Sequence, residues 1–415
     1  MIDQYSNGGA NLIAHKNRLT ALAVVALLSA TGLTACSASG TTTTSSGTIT
    51  IGASIPLTGP LAGFGAFQKW GYQHSVDVVN AKGGITINGV KKKVKLIILD
   101  DKTDPNTTVN NVNTLITADN VDALLGSCTD GLVEPGALVA NRKGVPMVTG
   151  CAAVNTFGPT TKWKWAWDLF FNSDQLTETP FAAASELKLD TNKKVAIIHS
   201  NGPNEQVIGD QEWPKWAKKY GWTVTEDVSL PPDTTQFTTA VAAAKAAGAD
   251  MVLAVFPPPS AIALRKQMAT AAYTPKLLSI EEGGEPDAFA TALGSLANGV
   301  MVGGYWADTF PYPGASDLAK LYESQTGQSS SQHIADSSTA AAVLLDAITA
   351  AGSLNKTKIN DAIAKTNKTY VVGPVKFGSD HTSTLPMVET QWQNGKTVVI
   401  APKSRANAKV LFPMP

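Results

Sequence analysis

Neither sign of charge is in excess: 33 lysines and arginines stand against 33 aspartates and glutamates, a formal net charge of zero at pH 7. Without a basic field, the chain is not built to hold nucleic acid or an anionic membrane surface through its summed charge. Catalytic signatures are missing too. No C-x-x-C, H-E-x-x-H, G-x-S-x-G or P-loop pattern occurs, and the five histidines are scattered with none beside a nucleophile. The acid pairs Asp100-Asp101 and Glu281-Glu282 are adjacent in sequence, so their side chains diverge and do not by that spacing make an acid/base pair. The expectation is a protein that is not an enzyme, with no cofactor and no metal site.

Cysteine is scarce, and so are long apolar runs. The run at residues 19–30 is too short for a hydrocarbon core that needs roughly 20 residues. It follows a basic stretch, His15, Lys16 and Arg18, and leads into Leu33-Thr34-Ala35-Cys36. That order is the order of an export signal. The tetrapeptide resembles a bacterial lipobox, which implies a lipidated Cys36 and membrane attachment without a spanning helix; an ordinary signal with an incidental cysteine is the alternative. With Cys36 set aside, Cys128 and Cys151 remain as an even pair in an exported chain. They are either a single disulfide or two small buried hydrophobes.

At 415 residues and 43% hydrophobic, the chain is long enough for two lobes. Residues 1–35 read as the signal, and 36–47, with the run SASGTTTTSSG, as a flexible tether without large apolar side chains. From residue 48, strand-like and helix-like patterns alternate: TITIGASI, VKLIILD, VDALLGS and VPMVTG are separated by helical periods. A second series follows in KVAIIHS, WTVTEDVSL, ADMVLAVF and PKLLSI. Such alternation means an α/β protein with two doubly wound, parallel-sheet lobes. Lobe one is expected at 48–171 with 307–373, and lobe two at 172–306 with 374–403. Three hinge crossings would lie near Phe171, Tyr305 and Gly373, and 404–415 would be a C-terminal tail.

The opening ITIGASIPLTGPLAGFGAFQKWGYQHSVDVVNAKGGI, followed by LIILDDKTDPNTTVNNVNTLI, GVPMV, VAIIHS and ALRKQM in order, resembles the leucine/isoleucine/valine-binding family of ABC-transporter solute-binding proteins. The resemblance covers essentially the whole chain after the tether. It implies the type I periplasmic-binding fold and an extracytoplasmic, lipid-anchored monomer. That monomer would deliver an amino acid or related small polar molecule to an ABC permease. A sensing subunit that presents its closed form to a membrane signalling protein is the alternative, because one fold serves both roles.

The resemblance also nominates a site. It places an aromatic ligand contact at Phe64, which is otherwise a packed helix-start residue. Thr129 falls where the family offers a hydroxyl to a ligand carboxylate, beside a helix N-terminus able to supply N–H donors; capping of that helix by Thr129 or Asp130 is the alternative. Ala152 and Ala153 match a second carboxylate-binding loop. Glu282 matches the acid that holds a ligand ammonium, with Glu281 as neighbour, although a solvated loop acid would read the same way. Phe256 stands near a family tyrosine and Asn204 near another. Trp306, with Tyr305, would add aromatic surface or pack the hinge. Asp130 is a departure, since a carboxylate beside an anion pocket repels the anion.

Overall fold

The computed structural model describes residues 47–153 and 163–415. The export signal, Cys36 and the tether up to residue 46 lie outside the described residues. The first lobe opens with β1 (Ile49–Ile55), α1 (Ala62–Ala81) and a small hairpin of β2 (Ile85–Ile87) and β3 (Val90–Lys92). It continues through β4 (Val94–Asp100), α2 (Pro105–Thr117), β5 (Ala123–Leu125), α3 (Asp130–Lys143), β6 (Met147–Thr149) and β7 (Ala166–Asp168). These make a five-stranded parallel sheet in the order β4-β1-β5-β6-β7. Its central strands are apolar and buried, as strands covered by helices on both faces must be. Helix starts are written locally: Asp104 accepts from the Thr107 amide at 2.6 Å with Pro105 in the first turn.

The second lobe holds α4 (Ser173–Glu186), which begins with a capping box of Asn172 and Gln175. After β8 (Lys194–Ser200), α5 (Pro203–Val207) runs through a π-helical turn at Ile208–Glu212 into α6 (Trp213–Lys219). Then come β9 (Thr223–Leu230), α7 (Thr238–Ala246), β10 (Met251–Phe256), α8 (Pro258–Thr270), β11 (Leu277–Glu282), α9 (Asp287–Leu293) and β12 (Val300–Gly304). The chain returns to lobe one with α10 (Ala315–Thr326), α11 (Gln332–Ala351), α12 (Lys356–Ala364) and the hairpin of β13 (Asn367–Tyr370) and β14 (Gly373–Lys376). It ends in lobe two, where β15 (Val388–Gln393) and β16 (Lys396–Ala401) add antiparallel to β12. The resulting seven-stranded order is β16-β15-β12-β11-β10-β8-β9.

Each lobe has its own apolar core. Helix α11 is long and apolar enough to cross a membrane, but it spends that surface inside lobe one, where most of it is buried. It lies directly on α1: Ser75 donates to the Ser338 carbonyl at 2.7 Å, and a Cβ on Gly71 would come within 2.6 Å of Ser337 Cβ. Close helix contact here requires a glycine.

Two expected boundaries move. Gly373 is not a crossing, because Tyr370, Val372, Val375, Phe377 and Leu385 all pack into the lobe-one core. Asp168 further ties β7 to this segment through its N–H to the His381 carbonyl (2.9 Å) and its carbonyl to the Ser383 N–H (2.8 Å). The third crossing therefore falls between Leu385 and Val388. Residues 404–415 are part of lobe two: Met414 is buried in its core and donates its N–H to the Lys276 carbonyl at 3.0 Å.

Candidate functional site

Loops leaving the carboxyl ends of β1, β5 and β6 in lobe one face those leaving β8, β10 and β11 in lobe two, and between them lies a cavity of about 860 Å³. In open α/β sheets this is where ligands sit. The lobe-one wall is mostly apolar, with Asp130 and Glu134 as its acidic members. Leu61, Phe64, Leu132 and the disulfide between Cys128 and Cys151 form one buried patch, with the two cysteine Cα atoms 4.7 Å apart at the ends of neighbouring strands. Behind it, Gln68 Nε2 and the Tyr72 hydroxyl donate to the Gly126 and Ser127 carbonyls, and Ser127 Oγ donates to Asp101 at 2.7 Å. The first loop is held by Asp100, which accepts from the amides of Leu57 and Thr58 and from the Thr58 hydroxyl at 2.7 Å. A Cβ on Gly65 would sit 1.9 Å from the Pro56 carbonyl oxygen, so this loop closes on α1 only with glycine there.

The lobe-two wall is acidic. Glu281 is buried, accepts from Ser279 Oγ at 2.8 Å and from the Gly303 amide at 3.1 Å, and has its carboxyl pushed up to about 8 chiefly by burial. Glu282 stands at a left-handed φ of 60°. Burial first, then the neighbouring carboxylates of Glu205, Glu285 and Asp130, hold its carboxyl far above the usual range.

One ion pair spans the lobes. His333, in the first turn of α11, brings Nε2 to 2.5 Å from Glu285 Oε2 and Nδ1 to 2.9 Å from Asp336 Oδ2. Burial alone would lower its pKa, but the two carboxylates overcome that and raise it to about 10. The Tyr305 hydroxyl donates to Asp336, and Phe64 meets the imidazole edge-on at 5.0 Å. Outside the cleft, His199 Nε2 lies 3.3 Å from one oxygen each of Asp210 and Asp227, a group with the donor types a metal ion uses.

Phe64, Thr129, Ala152, Ala153 and Glu282 all line the cavity, as do Asp130, Asn204 and Glu281. Thr129 stands at the α3 N-terminus with φ at 64°, and its side chain makes no cap bond. Two nominated residues do not reach the cleft. Phe256, at the end of β10, turns into the lobe-two core and packs at right angles on Phe237, 5.1 Å between rings. Trp306 is buried in the lobe-one core and donates Nε1 to the Val371 carbonyl at 2.8 Å, the hinge-packing alternative. Glu205, Glu285, His333 and the pair Phe170 and Phe171 line the cleft without having been singled out. Glu285 lies in the same IEEGGEP stretch as Glu282, and Phe171 at an expected crossing, whereas nothing near His333 in sequence points to Glu285.

A model of the periplasmic binding protein family matches residues 48–397. The Leu/Ile/Val-binding protein homolog 7 of Brucella suis is 22% identical over 385 residues, covering 88% of this chain and 94% of that protein. Homolog 3 from Brucella melitensis is 32% identical over 205 residues, 49% of this chain and 53% of that protein, so the match spans about half the length of that relative. Among solved structures, a branched-chain amino acid transporter substrate binding protein from Streptococcus pneumoniae, in complex with isoleucine, superposes with a TM-score of 0.76 at 21% identity, covering 86% of this chain and all of that one. A solute binding protein from R. palustris in complex with benzoate gives 0.73 at 17% identity, covering 88% and 100%. At such identities the structures speak for the fold, and the family match speaks for the kind of protein. Two parallel-sheet lobes enclosing a cleft, with the family model matched over residues 48–397, make this chain a member of the periplasmic binding protein family, an extracytoplasmic solute-binding protein and not an enzyme.

Proposed function

We propose that the chain is the lipid-anchored binding subunit of an ABC importer and that it captures an amino acid or related amine-bearing molecule between its lobes. The observation that carries this reading is the facing of two unlike walls across one cavity, an apolar patch braced by a disulfide against a run of buried carboxyl groups. A desolvated carboxylate makes a strong charge-assisted hydrogen bond to an amine. Closure of two lobes around such a ligand makes the closed form ligand-dependent, which a permease can read. The names of the Brucella and Streptococcus relatives support the transport role, and the order of basic, apolar and lipobox elements supports an anchor at Cys36.

The test is thermal denaturation of the whole chain, purified in detergent, against amino acids, amides, amines and aromatic acids. A ligand at a hundred times its Kd raises stability by about 2.7 kcal/mol. No rise with any compound would count against the reading. Mass spectrometry of the N-terminal peptide tests the anchor: an unmodified Cys36, or a retained run at 19–30, would remove it.

A further inference from the structure

Three buried polar atoms on the cleft walls have no hydrogen-bond partner within the protein: both carboxylate oxygens of Asp130, a residue only 3% exposed, and Oδ1 of Asn204. All three are acceptors. Burial, then the neighbouring Glu205, Glu134 and Glu212, push the Asp130 carboxyl well above its ordinary range, and a bound cation would restore the charged form in which both oxygens accept. An unpaired buried acceptor is costly, so these atoms mark where a ligand's donors belong.

The surrounding charge points the same way. Among the described residues, seven carboxyl groups line the cavity and no lysine or arginine does, and burial holds those of Asp130, Glu281 and Glu282 above their ordinary range until a cation pairs with them. The cationic candidate on the walls, His333, is already engaged by Glu285 and Asp336. The expected carboxylate subsite is compromised by the chain itself: Asp130 occupies the first turn of α3, so a ligand carboxylate brought to that helix terminus would lie beside a second carboxylate. What remains is apolar surface from Phe64, Leu132, Phe170 and Phe171.

Resting on the reading of the interlobe cleft as the binding site, we propose that its ligand is an organic cation. Its positive centre carries N–H bonds, as in an amine, amidine or guanidine, and it has an apolar frame and no carboxylate. The N–H groups satisfy Asp130 and Asn204, the net charge of the walls favours the cation, and the frame lies on the lobe-one patch. A quaternary ammonium would leave the acceptors unpaired, and a zwitterion would bring its carboxylate against Asp130.

Calorimetric titration of the whole chain in detergent with benzylamine and agmatine, against L-leucine, L-isoleucine and benzoate, tests it. The amines are expected to bind at least about tenfold more tightly than the other three, and Asp130→Asn to weaken them about tenfold or more while improving leucine. Asn204→Leu removes an acceptor without changing charge and gives a smaller loss, which serves if the Asp130 variant fails to fold. Leucine, isoleucine or benzoate binding more tightly than both amines would overturn the cation assignment and leave the binding-protein reading standing. Amine affinity unchanged by both substitutions would overturn it too. Binding of no compound in either class would end the assignment and count against the cleft as the binding site as well.

Discussion

On the lobe-one side of the cleft, Leu61, Phe64, Leu132 and the disulfide form a patch whose polar support lies behind it, in Gln68, Tyr72, Ser127 and Asp101. Across from it, lobe two puts Glu205 of α5, Glu281 and Glu282 at the end of β11, and Glu285 in the turn that follows, on the cleft lining itself. Apart from the Asp130 carboxyl and Gln68 Oε1, the first wall has its hydrogen bonds satisfied before a ligand arrives. The second holds two carboxyl groups that burial first, and neighbouring acids after it, have pushed up, Glu281 to about 8 and Glu282 well above its ordinary range. Shape and stability therefore reside largely in lobe one, while the free energy available to a ligand resides in lobe two and in the one acidic group that faces it from lobe one, Asp130. Disturbing the apolar patch of the first wall should cost folding, and disturbing the second wall, or Asp130 facing it, should cost binding.

The largest effect sought is on the first wall. The Cys128 to Cys151 bridge closes a loop with a sequence separation of 23, for which the loop-entropy model gives about 3 kcal/mol. Cys128→Ser with Cys151→Ser should lower the denaturation midpoint accordingly, with relative preferences among ligands kept. An unchanged midpoint would show that packing by the patch suffices without the bridge.

Next in size is Glu282→Ala, expected to weaken an amine-bearing ligand by about a hundredfold, about 2.7 kcal/mol, with little effect on a neutral one. Removing a carboxyl group that burial and its neighbours force upward should leave folding intact or improve it. A loss of stability with unchanged affinity would invert the comparison between the walls.

The two walls also differed in how far the sequence exposed them. Apolar strands bounded by Gly, Asn and Pro turns announced the α/β alternation, and the order of motifs from ITIGASIPLTG to ALRKQM pointed to Thr129, Ala152 and Glu282 at the cleft. The misplacements have local causes. Phe256 and Glu282 end neighbouring paired strands, yet the pleat and helix packing send the phenyl ring into the core while the φ of 60° frees the carboxylate from that pattern. Gly373 looked like a boundary because the tail changes pattern there, but a four-residue strand carries no mark of which lobe its apolar face will join. His333 was silent for a stronger reason: its partner Glu285 is 48 residues away on the other lobe, and only the crossing of the chain brings them to 2.5 Å.

That ion pair supplies a third, smaller test, because it belongs to both walls. His333 has a folded pKa of about 10, above its ordinary value of 6.5. Its contribution is thus fully present below about pH 6.5 and is lost as pH rises through about 10. The raised carboxyl of Glu281 acts with the same sign between 4.5 and about 8. The effect of His333 is therefore read as a difference. His333→Gln should flatten the fall in denaturation midpoint on the alkaline side by an amount on the order of 2 kcal/mol, and parallel wild-type and variant profiles would exclude His333 as a tie between the lobes.

The smallest expected effect lies at the opposite end of the pH scale and on the first wall alone. Asp100 accepts from Leu57 N–H at 3.0 Å, Thr58 N–H at 3.1 Å, Thr58 Oγ1 at 2.7 Å and Lys102 N–H at 2.8 Å. Its slight burial would raise the carboxyl pKa, but these donors outweigh that and hold it below the usual 3.8. A depressed folded pKa means stability that is present above the unfolded value and is lost as pH falls through the folded one. Because the carboxylate is partly exposed, water screens most of the gain, so only a small loss on the acid side is expected. It should vanish in Asp100→Asn, whose amide still accepts from some of these donors but no longer titrates. The sharper reading comes from ligand affinity measured across the same acid range: the Pro56-Leu57-Thr58-Gly59 loop positions Phe64 through the start of α1. If this loop contributes only shape, Asp100→Asn should weaken ligand binding far less than Glu282→Ala does. Equal losses would mean that the loop contacts the ligand directly, and the division of labour between the walls would have to be redrawn.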